Sequence, residues 1–235
     1  LLVTISLWSA GSLVRKSQPV TDHRWRKLLA ETRTELGITR DVELRTCDRA
    51  ISPMTWGWRR PVILLSRDAD NWTDECRRAV LLHELAHVAR RDWPVQMLTA
   101  AVSVVYWFHP LMWWAAREIR QESDRAADDL VLAAGMPAAT YAEQLLHVVG
   151  QLAAQWLHPA PTMARRGRLT RRIGALLDPK QNRRPANGRT SATILLCTGC
   201  AVVLAAMISV RAADAEGSHK DTDRPAPTTG STPSD

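Results

Sequence analysis

The sequence predicts a mainly α chain with a small β-sheet, an α+β fold attached to membrane helices. Three observations carry that expectation. Apolar residues recur with helical spacing, as at Trp25, Leu28, Leu29 and Leu36, and again at Val80, Leu81, Leu85 and Val88. Two short segments, Asp41 to Thr46 and Val62 to Leu65, have the pattern of strands. Ser191 to Val210 is uncharged, rich in Leu, Val, Ile and Ala, and of the length that crosses a bilayer.

The chain of 235 residues suits one domain of ordinary size plus appendages. Its net charge of +7 is unevenly spread. The four cysteines, Cys47, Cys76, Cys197 and Cys200, are too few and too scattered for a disulfide framework. Cys197 and Cys200 form a C-x-x-C, but inside the apolar run, where they read as membrane-helix residues. Ten Trp stand against one Phe, a bias that favours membrane interfaces as well as cores. No internal repeat is evident.

In chain order, Leu1 to Val14 reads as the last part of a membrane helix, with Arg15 and Lys16 marking its cytoplasmic end. Pro19 to Leu36 is an amphipathic helix stopped by Gly37. The strand at 41–46 follows, then turns marked by Pro53, Gly57 and Pro61, then the buried strand at 62–65. The edge of such a sheet can pair with an extended peptide. Thr73 is the expected N-cap of a helix to Arg90, with Asp74 and Glu75 in its first turn.

Asp92 is expected to cap the next helix, with Pro94 in its first turn. From Trp93 to Ala116 only His109 can carry charge, and His109-Pro110 breaks the run. The leg to Phe108 runs out by about 24 Å, and the leg from Leu111 to Asp124 returns by about 20 Å. A helical hairpin partly sunk in the membrane, about 93–134, thereby brings Asp124 back to the level of His87, with His109 at its tip. Gly135 and Pro137 close the returning helix, and Tyr141 to Leu157 is a further amphipathic helix.

From Arg165 to Arg189 nine basic residues face one acid, Asp178. Directly before an apolar run, this reads as a juxtamembrane flank for anionic lipid, and no direct nucleic-acid binding is expected. The tail from Arg211 to Asp235 is net negative and rich in Pro, Thr, Ser and Gly, a composition that predicts disorder.

The chemistry sits at His83-Glu84-Leu85-Ala86-His87. Residues four apart on a helix share a face, so His83 and His87 can reach one ion while Glu84 handles a water. The motif fixes only three positions; its helical, capped setting favours a metal site over chance. Asp124 and Asp128 are also four apart. They suit a third ligand with a carboxylate behind it, or a solvated acidic face balanced by Arg117, Arg120 and Arg125.

Four stretches together resemble the BlaR/MecR-type integral-membrane zinc peptidases: Ser52 to Leu65, His83 to Asp92, Phe108 to Trp114, and Glu122 to Leu132. The metzincin pattern fails, because Arg90 and Trp93 stand where it needs Gly and His. The resemblance implies a gluzincin-like domain on the cytoplasmic side of the bacterial inner membrane, with Zn2+ held by His83 and His87. Glu84 would activate water. The family's third ligand is the Glu of Glu-x-x-x-Asp; here Asp124 holds that place, Asp128 matches the final Asp, and Glu122 is the fallback. Tyr106, Tyr141 and His147 are candidate oxyanion donors.

The implied organisation is a membrane-helix end at 1–14, a peptidase domain at 15–164, a basic segment at 165–190, a transmembrane helix at 191–210 and an extracytoplasmic tail at 211–235. The implied function is regulated proteolysis of a cytoplasmic protein such as a transcriptional repressor. This sequence carries only a short tail after Val210, so beta-lactam sensing is not supported by it alone, and a sensor is either missing through truncation or supplied by a separate partner. The alternative is a non-catalytic membrane scaffold in which Asp124 marks a degraded zinc site.

Overall fold

The computed structural model describes residues 2–155 and 162–178, all within one compact unit. The expectations for 179–235, among them the membrane helix at 191–210 and the acidic tail, lie outside the described residues. Helices α1 (Leu2–Lys16), α2 (His23–Glu35), α3 (Asp74–Arg90), α4 (Asp92–Val105), α5 (Pro110–Ala133), α6 (Ala138–Gln155) and α7 (Thr162–Leu177) accompany one four-stranded sheet. Its strands are β1 (Gln18–Pro19), β2 (Glu43–Cys47), β3 (Met54–Trp56) and β4 (Val62–Ser66), in the order β1-β2-β4-β3. The mainly α, α+β expectation holds.

The sheet is mixed. β2 and β4 run parallel, β1 pairs antiparallel with β2, and β3 pairs antiparallel with β4. Every residue of β4 is buried, which explains its unbroken apolar sequence. β1 and β3 are edges. The expected helix start at Pro19 gives way to β1, because Pro19 has no N–H to lose at a sheet edge. The helix begins only after Asp22, whose carboxylate accepts from the Arg24 N–H. Gly37 then takes the left-handed conformation (φ +63°) that ends the helical run.

α3 is the central helix. Thr73 caps it as expected, its hydroxyl accepting from the Cys76 N–H. An apolar stripe was the expectation, but burial reaches most of its circumference. Val80, Leu81, Leu85 and Val88 pack with Trp25, Leu29, Ile63, Leu65 and Trp72 in the main core. On another side Ala79 and Leu82 join Val131, Met136, Tyr141 and Leu176. Leu81, Leu82 and Leu85 are wholly buried, each worth roughly 1.5–3 kcal/mol. That enclosure on two sides is what makes α3 a rigid mount.

The hairpin forms as the Pro predicts. α4 ends at Val105, Tyr106 to His109 make the turn, and Pro110 occupies the first turn of α5. Val105, Trp107, Phe108, Leu111 and Trp114 at this end are all more than 60% exposed. Among the described residues no helix is long and apolar enough to cross a membrane.

Candidate metal centre and cleft

His83 and His87 lie one turn apart on α3, and their Nε2 atoms are 3.3 Å apart. Asp124, delivered by the returning leg α5, places Oδ1 3.8 Å from His87 Nε2. One ligand atom from each of the three residues lies within 4.8 Å of the others. Two nitrogens on a tetrahedral zinc, each about 2.05 Å from the ion, would sit about 3.3 Å apart. The two imidazoles therefore fit such an ion in both type and spacing, and the Asp124 carboxylate fits it in type while standing about 0.5 Å wide of the same spacing.

Each imidazole is backed by a carboxylate. Behind His83, Nδ1 lies 3.1 Å from Asp128 Oδ1 and 3.0 Å from the Tyr141 hydroxyl. Behind His87, Nδ1 lies 2.8 Å from Asp92 Oδ2, and the Ser123 hydroxyl donates to the same oxygen at 2.8 Å. A proton on each Nδ1 facing these oxygens leaves both Nε2 lone pairs for a metal. Burial opposes charge on His87, but the Asp92 hydrogen bond and the carboxylates of Glu84, Asp92 and Asp124 prevail, so its pKa is raised. Burial likewise works to raise Asp92, and hydrogen bonds from His87 and Ser123 with the charge of Arg90 hold it below its usual value. Asp128 is held well below the carboxylate range against its burial by His83 and Arg172.

Asp92 corrects the sequence reading. It does not cap α4 with its side chain; the N-cap is Arg91, which makes no side-chain cap bond. Arg91 takes φ 59°, ψ 43°, breaking the line between α3 and α4. On an unbroken helix a residue five positions on would be turned about 140° away from His87. The break swings Asp92 back to it.

Glu84 is buried and lines a cleft of about 390 Å³ together with His83, His87 and Asp124. The Thr55 hydroxyl donates to Glu84 Oε2 at 2.8 Å, tying edge strand β3 to this carboxylate. Met54 and Trp56 on one side and Val80, Leu145 and Val148 on another give the cleft apolar walls. Of the candidate oxyanion donors, Tyr141 lines the cleft. Tyr106 sits at the hairpin turn, and exposed His147 pairs with Gln151. Glu122 is exposed and pairs with Arg125 rather than joining the three metal-site residues. Cys76 is no ligand; burial pushes its thiol up to about 11.

Four residues of the site escaped the sequence reading: Asp92, Ser123, Thr55 and Arg172. Asp92 carried a signal only for a reader who foresaw the helix break. Arg172 was one of nine basic residues in the stretch read as a membrane flank, yet it stands on α7 and reaches Asp128 and His83.

"Regulatory protein BlaR1" of Bacillus licheniformis is 31% identical over 122 residues, which is 52% of this chain and 20% of the relative. The chain thus aligns with about a fifth of that protein's length. The family model described as BlaR1 peptidase M56 matches residues 1–176, taking in both histidines, the returning helix and Arg172. With three quarters of its length matched, the chain belongs to the BlaR1 peptidase M56 family, a family of metallopeptidases.

Proposed function

We propose that the chain is a membrane-bound zinc metalloendopeptidase of gluzincin type that cuts a cytoplasmic protein, such as a transcriptional repressor, in response to a signal. The observation that carries this reading is the convergence of His83, His87 and Asp124 beside buried Glu84 in one cleft walled by an open sheet edge. The relative's printed name supports the regulatory part.

His83, His87 and Asp124 hold the ion. When bound, zinc supplies Lewis acidity toward a peptide carbonyl and toward water. Glu84 accepts a proton from water and returns it to the leaving amine. Thr55, donating to Oε2, fixes the direction of that carboxylate. Asp92 and Asp128 hold the two imidazoles in the ligating tautomer. β3 offers an extended substrate its free edge, and the apolar walls take its side chains. Tyr141 lines the cleft, but its hydroxyl proton is engaged on Asp128 Oδ1, so it steadies the carboxylate behind His83 rather than donating to developing negative charge.

Glu84→Gln is the test. It keeps the carbonyl oxygen that accepts from Thr55 and removes the base. Zinc content should stay at one per chain, while cleavage of casein falls by about 10²–10⁴-fold. Undiminished cleavage refutes the role of Glu84, and absence of zinc from the unmutated chain favours the non-catalytic scaffold.

The membrane part rests on the exposed apolar end of the hairpin, Trp107, Phe108, Leu111 and Trp114, whose burial in lipid would remove that surface from water. In vesicles, a spin label at position 107 should be reached by oxygen and shielded from a polar nickel chelate. Equal access to the nickel reagent in vesicles and in water refutes it.

A further inference from the structure

We propose that Arg172 is a positioning residue for the metal site: it fixes the Asp128 carboxylate that orients His83, and it makes the docking of α7 a condition of metal binding. This rests on the zinc reading of the site.

The argument is a count of donors and acceptors. Asp128 is 3% exposed, so its oxygens depend on protein partners. Arg172 grips it with two prongs, Nε to Oδ2 at 2.6 Å and Nη2 to Oδ1 at 2.5 Å. This bidentate fork sets the plane of the carboxylate as one point contact would not. The Tyr141 hydroxyl spends its proton on Oδ1 at 2.6 Å, leaving its oxygen to accept from Arg172 Nη2 at 3.2 Å. Arg172 Nη2 also lies 3.1 and 3.2 Å from the two ring nitrogens of His83. Neither contact is a hydrogen bond in the ligating state, where Nδ1 carries its hydrogen toward Asp128 and Nε2 keeps its lone pair for the ion. The guanidinium instead buttresses the ring while its charge is spent on Asp128.

The origin of these groups gives the second half of the inference. His83 comes from α3, Asp128 from α5 and Tyr141 from α6, whereas Arg172 comes from α7. α7 has an apolar anchor too, Leu176, in the cluster that holds Ala79 and Leu82 of α3. Those two residues lie four positions and one position before His83 in sequence. Both anchors of α7 therefore reach the segment that presents the first ligand. A purely structural ion pair would also tie α7 down, but it would leave the metal affinity of the folded protein unchanged. A positioning role couples the two, and coupling is reciprocal.

The test uses the full chain in detergent, with zinc affinity read by competition against a chromophoric chelator. Arg172→Ala should bind zinc about 10–100-fold more weakly. Millimolar guanidinium should restore part of the loss. Arg172→Lys keeps the charge but not the fork and should fall between the two; it also covers the case in which the alanine variant fails to fold. In the unmutated chain, zinc should slow amide exchange across 165–177, and in Arg172→Ala that protection should vanish. Zinc affinity unchanged in both variants, or α7 exchange indifferent to zinc in the unmutated chain, overturns the proposal while leaving the peptidase reading standing. No zinc bound by the unmutated chain overturns both.

Discussion

Asp124 is the place where a small geometric quantity decides a chemical one. Its Oδ1 is 3.8 Å from His87 Nε2, and two ligands on a tetrahedral zinc sit about 3.3 Å apart. The carboxylate is therefore short by about 0.5 Å. One more methylene adds about 1.5 Å of bond, more than the gap, and the side chain of Asp124 is half exposed, so it has room to turn. Asp124→Glu should bind zinc at least as tightly as the unmutated chain, and up to about tenfold tighter, about 1.4 kcal/mol. Asp124→Ala removes a ligand outright. Structural zinc sites are worth about 10–16 kcal/mol over four ligands, so one ligand carries about 3 kcal/mol, or about a hundredfold in affinity. The assay is chelator competition in detergent at fixed pH, with Glu122→Ala as a variant expected to change nothing. Undiminished binding by Asp124→Ala, or abolished binding by Asp124→Glu, refutes the assignment of Asp124 as third ligand and the distance argument behind it.

Two further outcomes are expected in the metal-stripped protein. Folded His87 has its pKa raised above 6.5 and folded Asp92 has its pKa lowered below 3.8, so their pair stabilises most fully between those values. The contribution is lost as pH rises through the raised His87 value, and again as pH falls through the depressed Asp92 value. The gap in melting temperature between the unmutated chain and Asp92→Asn should therefore be larger at pH 5 than at pH 8.5; a gap independent of pH contradicts the pairing. At Arg91, exposed and left-handed, Gly should be more stable than Ala by about 1 kcal/mol in chemical denaturation, since only Gly is free of the strain there. Ala matching Gly would mean that the turn relaxes.

Much of the fold was legible because it rests on local rules. Thr73 capped α3, Gly37 and Gly135 ended helical runs with positive φ, and Pro110 opened α5. The cluster of His83, His87 and Asp124 was legible because spacing of four places His83 beside His87, and because matched hairpin legs bring Asp124 back to them. The groups behind the two imidazoles were not legible, because they depend on where elements meet. Asp92 needs an unforeseen left-handed Arg91 to face His87. Arg172 is separated from His83 by 89 positions in sequence, and its neighbours in the chain are equally basic. Thr55 lies in a segment whose Pro and Gly announced turns, and the three-residue strand between them is fixed by long-range partners, its pairing with β4 and the Thr55 bond to Glu84.

The bond from Thr55 to Glu84 bears on selectivity. β3 contributes none of the three clustered residues, yet its middle residue holds the Glu84 carboxylate, the base of the proposed reaction. A polypeptide that adds to this edge in good register braces Thr55, while one that lodges crookedly disturbs it. Poor substrates would then be penalised in turnover as well as in residence time, so that the enzyme could hold many unfolded chains loosely and still cut few of them.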